Sequence, residues 1–298
     1  VARIAIPAFL LSLVPAAALS AAPGRTTPVI TWAPERVAYG DTAKISGRLR
    51  NASPGDEVTL QARRPDSGWY GVASKEVGSD GAVRFSRHDS KRSTSYKLVY
   101  TDEVAGTKVG SDPVRVHVKP RLALRVAPGD TYRGREVKIT GSLLPKVPNR
   151  TVLLQKRVGG EWRKITRTAV AEGRFKASFR AKHLGTRKVR ARFGGDGLST
   201  KARHTTALTV YRSDAATWYG PGLYGNTTAC GKTFTPETLG VAHRTLPCGT
   251  MVSILYRGRS VTVPVVDRGP YSHANWDLTN ETAQRLRFSG SDNVGVTR

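Results

Sequence analysis

Two stretches of this chain repeat one pattern at an offset of roughly 90 residues, and the pattern leaves room for little except β-structure. Tyr39-Gly40 leading to Lys44-Ile45-Ser46-Gly47 returns as Tyr132-Arg133-Gly134 leading to Lys138-Ile139-Thr140-Gly141. Val58-Thr59-Leu60-Gln61 returns as Val152-Leu153-Leu154-Gln155, and Gly81-Ala82-Val83-Arg84-Phe85 as Gly173-Arg174-Phe175. Apolar and polar residues alternate in short runs between Gly, Pro, Asn and Asp turns, and no helical period intervenes. A strand turns successive side chains to opposite faces, so such runs bury one face and wet the other.

About seven strands in ~90 residues is the signature of an antiparallel sandwich of immunoglobulin type. We therefore expect two tandem sandwiches, over residues 27–119 and 120–212. Each copy carries one Trp after its second matched run, Trp69 and Trp162. A core or strand-end aromatic is the plain reading of both, with sugar stacking as the alternative. The sandwiches resemble the immunoglobulin-like modules that bacteria string along secreted proteins.

Charge is distributed unevenly. The chain has 48 Lys+Arg against 22 Asp+Glu, a formal charge of +26, yet residues from Ser213 onward hold nearly balanced charge. The basic field belongs to the sandwiches, where Arg48, Arg50, Arg63, Arg64, Lys156 and Arg157 fall at outward strand positions. Arg187-Lys188-Val189-Arg190-Ala191-Arg192-Phe193 shows the same stripe. A polyanion is the natural partner of such a field. For an exported protein, nucleic acid is a poor candidate and anionic wall polymers are the expected counter-charge.

Export is expected from residues 1–24, where one Arg, a short apolar run from Ile4 to Val14 and small residues up to Ala22 read as a signal peptide. That run is well short of the ~20 residues a spanning helix needs, so no transmembrane segment is expected in the mature chain. The expected location is extracellular or cell-wall associated. Cys230 and Cys248 fit it, because an even pair in a secreted chain usually bridges. A catalytic thiol is the competing reading.

After Arg212 the basic residues thin out and Thr217-Trp218-Tyr219-Gly220-Pro221-Gly222 opens a domain of different character, over 213–298. Strands are expected at Ala216–Tyr219, Thr250–Leu255, Ser260–Val266 and Val294–Thr297, and a helix over Asn280–Leu286 capped by Thr279. Five ordered motifs follow one another here: Ala216-Thr217-Trp218-Tyr219-Gly220, Thr228-Ala229-Cys230-Gly231, Ala242-His243-Arg244-Thr245-Leu246-Pro247-Cys248-Gly249-Thr250, Val266-Asp267-Arg268-Gly269-Pro270-Tyr271 and Asp277-Leu278-Thr279. Their order and spacing resemble the rare lipoprotein A (RlpA) family, whose fold is a double-psi β-barrel related to expansins. The expected fold class is therefore all-β: two tandem immunoglobulin-like sandwiches followed by a small double-psi barrel.

The resemblance implies a catalytic pair at Asp267 and His243. The implied reaction is lytic transglycosylation of peptidoglycan, with cleavage between N-acetylmuramic acid and N-acetylglucosamine. One carboxyl protonates the leaving oxygen and then takes a proton from the muramyl 6-hydroxyl, so the second carboxylate of an ordinary glycosidase is dispensable. That role asks for a carboxyl kept protonated by burial. The family pattern further implies Tyr219 as a groove residue with Trp218 left to packing, Asp277 in the groove, Arg244 and Arg268 orienting the two turns, and Trp276 flanking a sugar. A non-catalytic, expansin-like glycan-binding or wall-loosening role is the rival reading, since one fold hosts both. No cofactor is expected, and the scattered His and Cys residues offer no metal-ligand spacing.

Overall fold

The computed structural model describes residues 26–298, and the expected leader over 1–24 lies outside the described residues. The first repeat opens with β1 (Thr27–Trp32), β2 (Arg36–Ala38), β3 (Ala43–Arg50), β4 (Glu57–Arg63) and β5 (Tyr70–Glu76). It closes with β6 (Ala82–Arg87), β7 (Thr94–Asp102), β8 (Thr107–Gly110) and β9 (Val114–Lys119). Strands β1-β3-β6 form one sheet and β2-β9-β7-β4-β5 the other, with β8 added on β7. Alternation is regular: in β3 the buried Ala43, Ile45 and Leu49 are separated by exposed Lys44, Arg48 and Arg50.

The second repeat supplies β10 (Arg121–Ala127), β11 (Asp130–Tyr132), β12 (Glu136–Leu144) and β13 (Arg150–Val158). It continues through β14 (Glu161–Val170), β15 (Arg174–Arg180), β16 (Gly185–Phe193) and the long β17 (Ala202–Tyr219). Its sheets are β10-β12-β15 and β14-β13-β16-β17, with β11 pairing parallel to β17 as β2 pairs parallel to β9. The sequence repeat is thus a topological repeat, with β8 as the one strand that has no counterpart in the second copy. Each sandwich closes on its own apolar cluster, around Ile45, Leu60 and Leu98 in the first and Ile139, Leu154 and Val189 in the second. Neither Trp is core. Arg63 and Lys97 lie over the Trp69 ring, and the Arg190 guanidinium lies 3.9 Å from the Trp162 centroid.

The third unit adds β18 (Val241–Ala242), β19 (Met251–Tyr256), β20 (Arg259–Asp267), β21 (Trp276–Thr279), α1 (Asn280–Leu286) and β22 (Asp292–Val296). The order β17-β21-β18-β20-β19-β22 returns to β17 through the β17–β22 pairing, so the sheet closes into a barrel and leaves no edge. Pairs β17–β21 and β18–β20 run parallel. Val241, Ile254, Val265, Trp276 and Leu278 fill the interior. Helix α1 has the expected bounds, with the Thr279 side chain accepting from the Thr282 N–H.

One element differs from the expected organisation. Strand β17 crosses the position after Arg212 without a break, giving its first part to the second sandwich and its last part to the barrel. Tyr211 marks the crossing: it is fully buried, and its hydroxyl donates to Asp130 Oδ1 at 3.0 Å. At Gly295 on β22 an added Cβ would lie 3.0 Å from Tyr211 Cβ, so the barrel packs on this strand at glycine distance.

Candidate functional site

The barrel carries four side chains in a row across four adjacent strands. Thr217 of β17 faces Asp277 of β21, Asp277 faces Ala242 of β18, and Ala242 faces Asp267 of β20. A register shift between Val241 and Ala242 inserts one extra residue on β20, and such bulges re-aim side chains. Val265 and Val266 are both buried as a result, and Asp267 turns to the face of Ala242. The two carboxylates therefore flank one small residue and line a single cleft of about 530 Å³. Trp218, Tyr219, Leu223, Arg268 and Tyr271 complete its walls.

Asp267 is held by backbone. Its Oδ1 accepts the N–H groups of Ala229 and Arg268, both at 2.8 Å, which leaves Oδ2 without a hydrogen-bond partner among the described residues. Asp277 Oδ1 accepts the Thr217 hydroxyl at 2.7 Å. Burial raises the Asp277 pKa above its ordinary value; the Thr217 bond opposes this in part and the Asp267 charge adds to it. Tyr219 lines the same cleft and is stacked on Phe234 with ring centroids 4.9 Å apart. Its buried hydroxyl has no hydrogen-bond partner among the described residues, and burial together with both carboxylates pushes the phenol pKa up. An orphaned buried hydroxyl is uncommon and asks for an explanation.

The raised Asp277 pKa makes stability pH-dependent with a definite sign. The ionised form is disfavoured in the fold, so the contribution is intact below the ordinary carboxylate value of 3.8 and is lost as pH rises through the raised folded value. Asp277→Asn keeps an acceptor for Thr217 and removes the ionisation. We expect a neutral-pH Tm at or above that of the parent, with a flatter dependence on the acid side. Thermal melts across that range check it, and an unchanged pH slope would contradict it.

The two loops that frame the cleft are clasped by crossed arginines. Arg244, in the turn after β18, donates to the carbonyls of Pro270, Ser272 and Ala274 at 2.6–2.7 Å in the loop after β20. Arg268, at the start of that loop, donates to the carbonyls of His243 and Leu246 at 3.3 and 2.9 Å. Arg268 also meets Cys248 Sγ at 3.4 Å, and Cys248 is bridged to Cys230 as expected. The two cysteines are 18 positions apart, and closing such a loop is worth about 3 kcal/mol in the chain-entropy view. Gly269 sits at φ 126, where a side chain would be strained.

His243 lies apart from this row. Side chains alternate after β18, so Ala242 faces the cleft and His243 faces Trp276, ring centroids 4.5 Å apart. Its Nδ1 accepts the N–H groups of Thr245 and Leu246 at 3.2 and 3.1 Å, which places the ring proton on Nε2. Burial lowers its pKa, and Arg212, Arg244 and Arg268 push the same way against Asp214. The link between the expected pair is through the main chain: His243 N–H donates to the Asp267 carbonyl at 3.2 Å.

Two expectations need correction. Trp276, expected beside the sugar, is fully buried in the barrel interior, because its strand turns Trp276 and Leu278 inward and Asp277 outward. Trp218, left to packing, is 39% exposed at the cleft wall, while it is the Tyr219 hydroxyl that is buried. Two residues were missed. Thr217 shares the Tyr219 face by two-residue alternation, a signal present in the sequence. Asp214 is a buried carboxylate that accepts from Trp276 Nε1 at 2.9 Å and Asn275 Nδ2 at 2.7 Å, and pairs with Arg212 at 2.8 Å. No local pattern marks it. Among the described residues, no three of His, Cys, Asp and Glu converge as a metal site.

The sequence of the third unit has known counterparts. Residues 213–298 match the lytic transglycolase domain family. The "Probable endolytic peptidoglycan transglycosylase RlpA" of Synechocystis is 51% identical to this chain over 86 residues, 27% of each protein. The endolytic peptidoglycan transglycosylase RlpA of Campylobacter jejuni is 47% identical over 84 residues, 27% of this chain and 30% of that one. The chain thus spans under a third of the length of these relatives, and the transglycolase-like barrel is the part shared. Over the whole chain, a tetra-tandem repeat from the extending region of a large adhesion protein superposes at a TM-score of 0.37 and 15% identity, covering 91% of this chain and 73% of that one. That likeness is too slight to build on.

Proposed function

We propose that the barrel cleaves peptidoglycan glycan strands by lytic transglycosylation, with Asp267 as the group that moves the proton. The observation that carries this reading is the open Oδ2 of Asp267 in a cleft shared with Asp277 and the orphaned Tyr219 hydroxyl. In the proposed step the Asp267 carboxyl protonates the glycosidic oxygen as the bond from muramyl C1 breaks. The muramyl 6-hydroxyl then attacks C1 and its proton goes to the same carboxylate. No water is consumed, the product ends in a 1,6-anhydro ring, and Asp267 is left as it began.

The remaining residues have supporting roles. Asp277, its pKa raised by burial, stands across Ala242 from Asp267 in the same cleft. Tyr219 lines the cleft wall with its hydroxyl buried, and exposed Trp218 and Tyr271 offer ring faces at the cleft mouth. His243 acts as a neutral turn organiser, fixing the carbonyls that hold Arg268 next to Asp267. Arg244 positions the loop that carries Tyr271 through its carbonyl bonds. The names of the relatives support a peptidoglycan substrate and a place at the cell envelope. The charge of the sandwiches supports retention by anionic wall polymers.

Incubation of the protein with purified peptidoglycan should yield 1,6-anhydromuramyl ends, read by mass spectrometry. Their absence over a range of pH, with peptide-stripped glycan included, would leave the expansin-like binding role in place of the enzyme.

A further inference from the structure

The outer face of the β14-β13-β16-β17 sheet is a second surface with its own chemistry. Its register sets side chains in rows across the four strands. Arg203 faces Arg192, which faces Leu153, which faces Arg167. The next row holds Thr205, Arg190, Gln155 and Lys164, and Arg157 with Trp162 follows beside Lys188. These positions alternate with the buried Val152, Leu154, Val189 and Ala191, so all of them look away from the core. None of them is Asp or Glu.

The cations on this face have no carboxylate among them, and Arg190 donates to Gln155 Oε1 at 2.9 Å. Burial lowers the Arg190 pKa, and the charges of Arg192 and Arg203 lower it further. At the end next to the first sandwich, Lys119 and Lys201 join Arg190, Arg192 and Arg203 around a cleft of about 590 Å³ whose other lining residues are Phe193 and Ala202. Lys119 comes from β9, so the cleft spans the two repeats. Their junction is tied by the hydrogen bonds Ser93 N–H to Leu198 O and Thr200 N–H to Val118 O, at 2.8 and 2.9 Å.

We propose that this face binds a linear polyphosphodiester that carries no aromatic bases, laid along the strands from the junction cleft toward Trp162. Outward residues recur every ~6.7 Å along a strand, a repeat suited to the charges of an extended short-carbon phosphodiester chain. Arginine dominates the rows, and its fork grips phosphate oxygens in pairs. The absence of aromatic bases from the ligand follows from Trp162. Single-stranded nucleic acids are held by open rings on which bases stack, but the Trp162 face is already occupied by Arg190 at 3.9 Å. The surface therefore reads charge and offers no platform for a base.

The test uses the full chain and poly(glycerol phosphate) of defined length, with affinity measured against NaCl concentration. The double variant Arg192→Gln/Arg203→Gln should weaken binding about tenfold or more and reduce the slope of log K against log salt by roughly 1.4–2. Lys164→Gln/Lys188→Gln should act in the same direction, guarding against a fault peculiar to the first pair. Lys138→Gln/Lys176→Gln removes equal charge from the other sheet of the same sandwich and should leave affinity nearly unchanged. An equal loss in that control would reduce the effect to diffuse net charge and overturn the proposal. Tighter binding of single-stranded DNA of matched charge would overturn it in favour of nucleic acid, and salt-insensitive or absent binding would overturn it outright.

Discussion

Replacing Asp267 by Asn should lower the yield of 1,6-anhydromuramyl ends by about 10²–10⁴-fold, the range of a lost general acid–base group. The fold should survive, because the amide oxygen can still accept the Ala229 and Arg268 N–H groups that now meet Oδ1. What the substitution removes is the exchangeable proton at the position of Oδ2. The measurement is product formation by mass spectrometry, paired with a thermal melt and a pull-down on insoluble peptidoglycan. Turnover like the parent's would take Asp267 out of the mechanism. A collapsed melt would instead make it a turn residue, whose carboxylate serves the loop.

Asp214→Ala should have the largest effect on stability, about 2–3 kcal/mol, the cost of leaving a buried donor without its charged acceptor, since the Arg212 charge left behind is itself 38% exposed and screened by solvent. It would leave the Trp276 indole N–H unpaired in the barrel interior, free Asn275 and strip Arg212 of its carboxylate. For a unit of this size that corresponds to a fall in Tm of roughly 10 °C or more. Burial opposes ionisation of Asp214, yet the bonds from Asn275 and Trp276 and the Arg212 charge outweigh it, and its pKa is lowered. Its contribution is therefore present above the ordinary carboxylate pKa and lost as pH falls through the folded value. The gap between parent and variant should narrow in acid. Equal melting temperatures at neutral pH would show that the network contributes little.

The fold was legible in the sequence to the extent that it is periodic. Alternation in runs such as Ala43–Arg50 and Arg187–Phe193 marks both strands and their inward faces, and the repeat of those runs gives two sandwiches of one topology. The barrel strands β19, β20 and β22, and α1 with its Thr279 cap, follow from patterns of the same local kind. Strands β18 and β21 escaped notice because they are too short to show a period. The continuity of β17 escaped because a change of composition after Arg212 is also what a linker looks like, and the alternation is interrupted there, with Val210 and Tyr211 both buried.

The site divides in the same way. The sequence by itself determined which residues are there: Asp267, Asp277 and Tyr219 in motif order, Arg244 and Arg268 in the turns, and two cysteines placed to bridge. Only the tertiary structure decided which of them share a cleft. A bulge of one residue on β20 puts Asp267 on the face of Ala242 and Asp277, and the same alternation sends His243 to the Trp276 side. The physical reason is that strand side chains reverse at every residue. A single inserted residue changes a partner's face, and that insertion is fixed by pairing between strands distant in sequence.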